Sequence, residues 1–581
     1  MRSIRKTACI FLALLATVGC TSVQSKKSLT GDYLAGRLAA RVNAVDDAAE
    51  AYGNAVRKAP QNYNVVREAF FYHLAAGEIE DARPYARALA VPGAENSNDL
   101  ARLTLAASAV RQGNLKSARS TLSGEFNEPF SKSVSYLINV WLEADINNPV
   151  SAIEKLDSAG TEVFKGFNST HKALLADRAD DQALARENYQ ISLFQLAGPV
   201  GRYAYGTFLE RADSDTQARE FYNALKREPG PARRAAELGL ARLDAGKPSQ
   251  AYKNVSAREG AAIALYSYGA LILEQIASER DRMAKKGFNI GTPQYNLPLA
   301  LGQLALYLDP NLVDARRMVS TTLIIYENYD AAIELLNGVP EESPYFEQSR
   351  MDMASALSRQ NKNAEAISNL KRAIKRHPDA IEARLTLGTL LSIEGENREA
   401  VSVITQAIDR LGETPEMDIW RFYISRAESL INLERWQEAE ADLQKAYEIA
   451  PEQPTVLNYL GYSWAERGIN LDQAFELIGK AIALNPESGA IIDSLGWAHY
   501  QLGNYGEAVG HLEKAAQLVP ADPTITDHLG DVYWRLDRTT EAKFQWRRVL
   551  ELEPEDDIAA AASKKLEKGL PDLEDANSSA K

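Results

Sequence analysis

Cysteine is nearly absent: Cys9 and Cys20 both fall within the first twenty of 581 residues. Everything beyond them is therefore without a disulfide or a cysteine-ligated zinc, and packing alone must hold it together. Histidine is scarce too, and His73, His171, His377, His499, His511 and His528 share no metal-ligand spacing. No G-x-S-x-G elbow or H-E-x-x-H run occurs, and Gly246-Lys247 is followed by Pro248 without the earlier glycine of a phosphate loop. An excess of positive charge is also missing. Lys+Arg 65 against Asp+Glu 79 leaves a net charge of −14, with no basic stripe to offset it, so nucleic acid is excluded as a partner. These absences leave no catalytic residue, cofactor or metal to assign, and the sequence reads as that of a non-enzyme. What is present is ordinary for a folded chain: 45% hydrophobic and 25% charged residues, which rules out wholesale disorder and a multi-span membrane protein.

The N-terminus carries Arg2, Arg5 and Lys6, an apolar stretch from Ala8 to Val18, then Gly19 and Cys20. That stretch is too short to span a bilayer and reads as a signal peptide over 1–19. Thr17-Val18-Gly19-Cys20 resembles the bacterial lipoprotein box, although leucine is commoner where Thr17 stands. The resemblance implies that Cys20 is lipidated and residues 20–30 form a flexible tether; the alternative is an ordinary secretory signal with Cys20 as a free thiol. Thr21 in place of aspartate favours the outer membrane, periplasmic face, over retention at the inner membrane.

One small residue recurs inside an apolar helix in the C-terminal half: Ser320, Ala354, Gly388, Ala427, Gly461, Gly496 and Gly530, at steps of 34, 34, 39, 34, 35 and 34. An alanine follows 12 or 13 residues later each time, at Ala332, Ala366, Ala400, Ala439, Ala474, Ala508 and Ala542. Pro378, Pro451, Pro486, Pro520 and Pro554 end the units. The small pair lets two antiparallel helices approach closely; one such pair cannot bury its apolar face, whereas a stack can. The pattern resembles the tetratricopeptide repeat (TPR), most clearly over Leu495 to Pro520. It continues weakly upstream through Ala48, Ala82, Ala118, Ala152, Ala183, Ala218 and Ala251, with Gly36, Gly206 and Gly239 as small residues and Phe70 replacing one.

The expected fold is therefore all-α: a TPR-type helix-pair solenoid, a right-handed superhelix of about fourteen to fifteen pairs. Its parts would be a degenerate N-terminal half over 31–277, an insertion or hinge at 278–297, a C-terminal array over 298–562 and a tail over 563–581. Extra residues are expected in a loop near Gly412–Met417.

In such a stack the first helix of each pair lines the concave side, and four positions around the small residue face the groove. In the last three complete units these are Thr455, Asn458, Tyr462 and Ala465, then Ala490, Asp493, Trp497 and Tyr500, then Thr524, Asp527, Asp531 and Trp534. The stripe is aromatic and acidic, and six of the seven tryptophans lie at or beyond Trp420. Asn458, Tyr462, Asp493, Trp497, Tyr500, Asp527, Asp531 and Trp534 are the candidate partner-binding residues, suited to an extended peptide or a helix. The competing reading packs Trp497 and Trp534 between neighbouring helices; Trp464 and Tyr533 occupy the buried aromatic site of the repeat. The groove lacks the Lys/Arg/Asn set that clamps a C-terminal carboxylate in chaperone-binding TPR proteins.

The runs Asn458 to Gly468 and Ile492 to Ala508 are similar to repeats of the TPR outer-membrane lipoproteins that serve as adaptors for periplasmic carboxyl-terminal processing proteases. The resemblance implies a lipid-anchored, non-catalytic scaffold whose protein partners are such a protease or a peptidoglycan hydrolase and its substrates. The alternative is an assembly lipoprotein that acts as a structural bracket in an outer-membrane or secretion machine.

Overall fold

The computed structural model describes residues 28–90, 98–158, 165–194, 199–212, 215–284, 295–411, 418–552, 554 and 556–571. The signal peptide, Cys20, the loop at Gly412–Met417 and residues 285–294 of the expected hinge lie outside them. The described residues form thirty α-helices and no strand. By packing they divide into two compact units, Met1–Gln360 and Asn361–Lys581.

The C-terminal unit is a regular stack. After Asn363–Arg376 come Ile381–Ile393 with Asn397–Leu411, Trp420–Asn432 with Trp436–Ile449, and Pro454–Glu466 with Leu471–Leu484. Gly489–Gln501 with Tyr505–Leu518 and Pro523–Arg535 with Thr539–Glu551 follow, and Asp556–Lys568 closes the series. Each first helix packs on its own partner and on the next first helix, while each second helix leads onto the following pair. Capping fixes the starts: Asp522 accepts from the amides of Thr524 and Ile525, with Pro523 supplying a preset φ at the first helical position. Left-handed residues fix the turns inside the pairs, at Glu434, Gly468, Gly503 and Asp537.

The small residues sit where the repeat requires them. A Cβ added to Gly496 would lie 2.7 Å from Leu512 Cγ, and one on Gly530 would lie 2.5 Å from Trp546 Nε1. Ala400, Ala439, Ala474, Ala508 and Ala542 are buried against them. Ile404, Leu443, Ile478, Leu512 and Trp546 fill the space between helices and are likewise buried.

The N-terminal unit begins on Leu29–Arg41, capped by Ser28, so the helix enters the segment assigned to the tether. Pairs follow to Pro231–Asp244, and Ala48, Ala82, Ala118, Ala152 and Ala218 are fully buried as the repeat demands. Two assignments fail. Ala185, not Ala183, is the buried alanine of Gln182–Phe194, and Ala251 lies in a non-helical stretch where a second helix was expected. Phase drift in a degenerate repeat accounts for the first; Pro248 and Gly246 account for the second.

This unit is not an open stack. Residues 278–284, expected in the hinge, continue the 28-residue helix Ala257–Ala284, which pairs with Asn296–Leu308 and packs on Pro129–Ile146. Asn296–Leu308 packs in turn on Tyr63–Ala75 and Asp99–Arg111, some two hundred residues upstream. Tyr307 donates to Glu80 at 2.5 Å, Asn328 to Asp46 at 2.8 Å, and the Ala257 amide to Asp145 at 2.9 Å. Residues 255–335 share one core with 45–218, and the first compact unit ends at Gln360. At its centre Trp141 is fully buried beneath Gly260 and donates through Nε1 to His171 Nδ1 at 2.9 Å. Burial lowers the His171 pKa to about 4, which keeps the imidazole a neutral acceptor. Ala257–Met283 is long and apolar enough to cross a membrane by length and composition, but its first half is buried in this core.

Candidate protein-interaction surface

The stripe positions lie on consecutive first helices of the C-terminal unit, and the structure sorts them into three groups. Asn458 and Tyr462, on Pro454–Glu466, are partly exposed. Asn458 Oδ1 is buried and accepts no hydrogen bond from the described residues. Burial raises the Tyr462 hydroxyl, helped by the nearby charges of Glu466 and Asp493.

The next helix carries an aromatic ladder. The Trp497 ring stacks on Tyr500 with centroids 4.5 Å apart, and on His528 of the following unit at 3.8 Å. Asp493 is 8% exposed, and His528 Nδ1 lies 3.0 Å from its Oδ2. A carboxylate only accepts, so Nδ1 carries the proton of that bond. Trp497 and Tyr500 keep a partly exposed flank, whereas Asp493 is turned to its neighbour. Burial pushes the Tyr500 hydroxyl up to about 12.

The last group packs against the closing helix. Lys565, on the closing helix Asp556–Lys568, reaches Asp527 at 2.6 Å and Asp531 at 2.8 Å. Asp531 also accepts from Trp546 Nε1 at 2.9 Å and is 5% exposed. Trp534 tilts against Trp546, centroids 5.4 Å apart, and lies so close to Gly569 that a Cβ there would come within 2.1 Å of its ring. Asp527, Asp531 and Trp534 thus serve the junction between the last full pair and its closing helix; Asp531 is buried, while Asp527 and Trp534 keep part of their area open. The reason is steric: residues 563–568, assigned to a tail, complete the helix Asp556–Lys568, whose Lys565 sits on the two carboxylates.

Trp464 and Tyr533 are buried as the repeat position requires, at 8% and 7% exposure. The His499 and His511 rings stack at 5.7 Å, but His528 lies instead on Trp497. Among the described residues no three His, Cys, Asp or Glu side chains converge as metal ligands. Sequence reading missed His528 and Lys565 as partners of the stripe. The signal was available in the spacing, since Asp493 to His528 is 35 residues and Asp531 to Lys565 is 34, one repeat in each case.

Residues 351–417, 491–522 and 527–556 match tetratricopeptide repeat models, which establishes those stretches as TPRs. A TPR repeat-containing protein of Pseudomonas aeruginosa is 41% identical over 76 residues, which is 13% of this chain and 13% of that relative. Among solved structures, the APC/C hetero-tetramer Cut9-Hcn1 is 16% identical, covering 94% of this chain and 97% of that one, with a TM-score of 0.37. A tetratricopeptide repeat protein from Parabacteroides merdae is 16% identical, covering 43% of this chain and 94% of that one, with a TM-score of 0.37. YrrB, described as a TPR protein with an unusual peptide-binding site, is 17% identical over 34% of this chain and 97% of its own, with a TM-score of 0.24.

Proposed function

We propose that this chain is a non-catalytic scaffold, lipid-anchored through Cys20 to the periplasmic face of the outer membrane, that recruits a periplasmic carboxyl-terminal processing protease or a cell-wall hydrolase together with its substrates. TPR stacks act as protein-interaction scaffolds, and that coarser role rests on the repeats themselves. One observation carries the docking site. Asn458, Tyr462, Trp497 and Tyr500 stand on adjacent first helices with part of their area open, while the acidic positions beyond them are spent on the closing helix. Aromatic area of this kind suits a peptide or helix that buries an apolar residue against it.

The anchor and the partner are tested separately. Cys20→Ser is expected to remain unprocessed and to lose labelling by a fatty-acid analogue; equal labelling of both forms refutes the anchor. Affinity purification from solubilised membranes is expected to bring down a protease or hydrolase in stoichiometric amount, lost on Trp497→Ala. Recovery of barrel or secretin subunits instead replaces the adaptor by the structural-bracket reading.

A further inference from the structure

The N-terminal unit holds a second place where the repeat departs from its rule. Between Pro231–Asp244 and Ala257–Ala284 no second helix forms; residues 245–256 run as a non-helical strap. Tyr252 on that strap has φ +62°, a left-handed backbone that a bulky side chain rarely adopts and that persists only where its surroundings impose it. The surroundings do so. Arg211 donates to the Ser249 carbonyl at 2.7 Å, the Ser249 amide to Glu210 at 2.8 Å, Lys253 to the Asp177 carbonyl at 2.7 Å, and Arg178 to the Val255 carbonyl at 2.9 Å.

Beside the strap lies a cavity of about 550 Å³, within the range of ligand pockets. Tyr203, Tyr222, Tyr252 and Tyr345 contribute aromatic surface to it, and Asp309 and Asp314 contribute carboxylates. Among the described residues lining it Arg242 is the one cation, and it is committed to Glu210 through contacts of 2.6 and 3.0 Å. Glu259 and Glu342 add further negative charge. Burial raises Asp309 above the usual carboxylate range and pushes Asp314 up to about 6, although Arg258 and Arg316 act on the first and Arg317 on the second. Arg317 itself lies over the Tyr345 ring at 4.9 Å and pairs with Asp352 at 3.4 Å. These carboxylates are desolvated without a cation of their own inside the cavity.

An anion would be repelled here, and the described residues gather no metal-ligand set. Tyrosine faces with buried carboxylates are the chemistry that recognises organic ammonium ions. We propose that the cavity binds an ammonium carried on an apolar stem, its charge directed to Asp309 and Asp314 and its stem against the tyrosine rings. The assignment goes beyond the scaffold role, and its test involves no protein partner.

The test is calorimetric titration of the full chain with n-hexylammonium, hexan-1-ol and hexanoate. Hexylammonium is expected to bind, with hexanol at least about tenfold weaker and hexanoate not binding, because only the first satisfies the carboxylates. Asp314→Asn keeps an acceptor for the Tyr345 hydroxyl, which donates to Asp314 Oδ1; it should weaken hexylammonium at least about tenfold. Leu238→Trp fills the cavity without altering its charge and should abolish binding while circular dichroism stays native. Equal affinity for hexanol and hexylammonium, binding unchanged by Leu238→Trp, or no binding by any amine to the folded chain overturns the assignment. A parallel titration with N-acetyl-lysine methylamide identifies the source. Binding as tight as that of n-butylammonium assigns the cavity to a lysine side chain, and binding of the free amine alone assigns it to a small molecule.

Discussion

Replacing Lys565 by methionine removes one charge while keeping most of the stem, and the structure says where the effect must fall. The ammonium lies between Asp527 and Asp531, with side-chain exposures of 17% for the lysine and 15% and 7% for the two carboxylates. Without it two neighbouring, largely desolvated acids repel each other. Breaking a buried pair costs about 3–5 kcal/mol; because Lys565 retains some solvent, about 2–3 kcal/mol is expected. A solenoid opens locally from its ends, so the loss should appear in 523–568 and leave 45–250 unchanged. Amide hydrogen exchange reads it directly: protection over Asp556–Lys568 should fall roughly 30- to 150-fold at pH 7.5.

The pH dependence has a definite sign. Burial raises the Asp531 pKa, opposed by Lys565 and reinforced by Asp527. A carboxylate whose folded pKa is raised contributes stability that is fully present below its unfolded pKa and is lost as pH rises through the folded one. Removing the lysine raises Asp531 further, so the gap between variant and wild type should be widest near neutrality and shrink on acidification. Groups that titrate alike in both proteins cancel from this difference. Exchange within threefold of wild type at pH 7.5, or a gap that widens as pH falls, refutes the reasoning.

Other perturbations separate packing from binding. Gly496→Leu forces atoms into Leu512, and an overpacking cost of about 1–3 kcal/mol should strip exchange protection over 454–551 but not over 45–250. In Gly260→Ala the new Cβ falls 2.0 Å from Trp141 Cδ2, so the ring must leave His171; about 3 kcal/mol or more should be lost, visible as faster exchange over 129–178. Trp497→Ala also removes the ring stacked on His528 and should lower the melting temperature, but if Trp497 docks a partner, capture should fall about thirtyfold at a temperature where the variant remains folded. Trp534→Ala should show the reverse order, a clear loss of stability and little change in capture, since its ring serves the closing helix.

The regular half of the fold was legible because each repeat announces itself through local sterics. A small residue and an alanine twelve or thirteen positions apart specify one close helix pair, and the structure places Gly496 on Leu512 and Gly530 on Trp546 accordingly. The N-terminal unit was not legible as a unit. Its defining contacts, such as Tyr307 with Glu80 and Asn328 with Asp46, join residues more than two hundred apart, and a 34-residue period carries no information about them. The strap around Tyr252 was likewise hidden: Ala251 keeps the spacing of a second helix, and only Pro248 and Gly246 hint that none forms. In the stripe, Asp493 and Asp531 find their partners one repeat further along, at His528 and Lys565.

That last point decides what the acidic positions do. Charges on the rim of a binding groove tune association rate and salt dependence, and reversing them leaves the fold intact. Asp493, Asp527 and Asp531 do not meet that description. Asp493 holds His528 beneath Trp497, and the other two hold Lys565 against the last pair, each in a largely desolvated setting. A lysine at Asp493 would replace the acceptor of His528 Nδ1 by a donor, and one at Asp527 or Asp531 would set like charges against Lys565; each breaks a junction between repeats, so Asp493→Lys and Asp531→Lys should lower stability before they alter any association rate. If the proposed groove is the docking site, its selectivity then rests on its neutral members. Tyr462, Trp497 and Tyr500 offer aromatic area. A partner matched to this surface would be selected by an apolar anchor rather than by net positive charge, and its capture should therefore survive salt concentrations that screen exposed ion pairs.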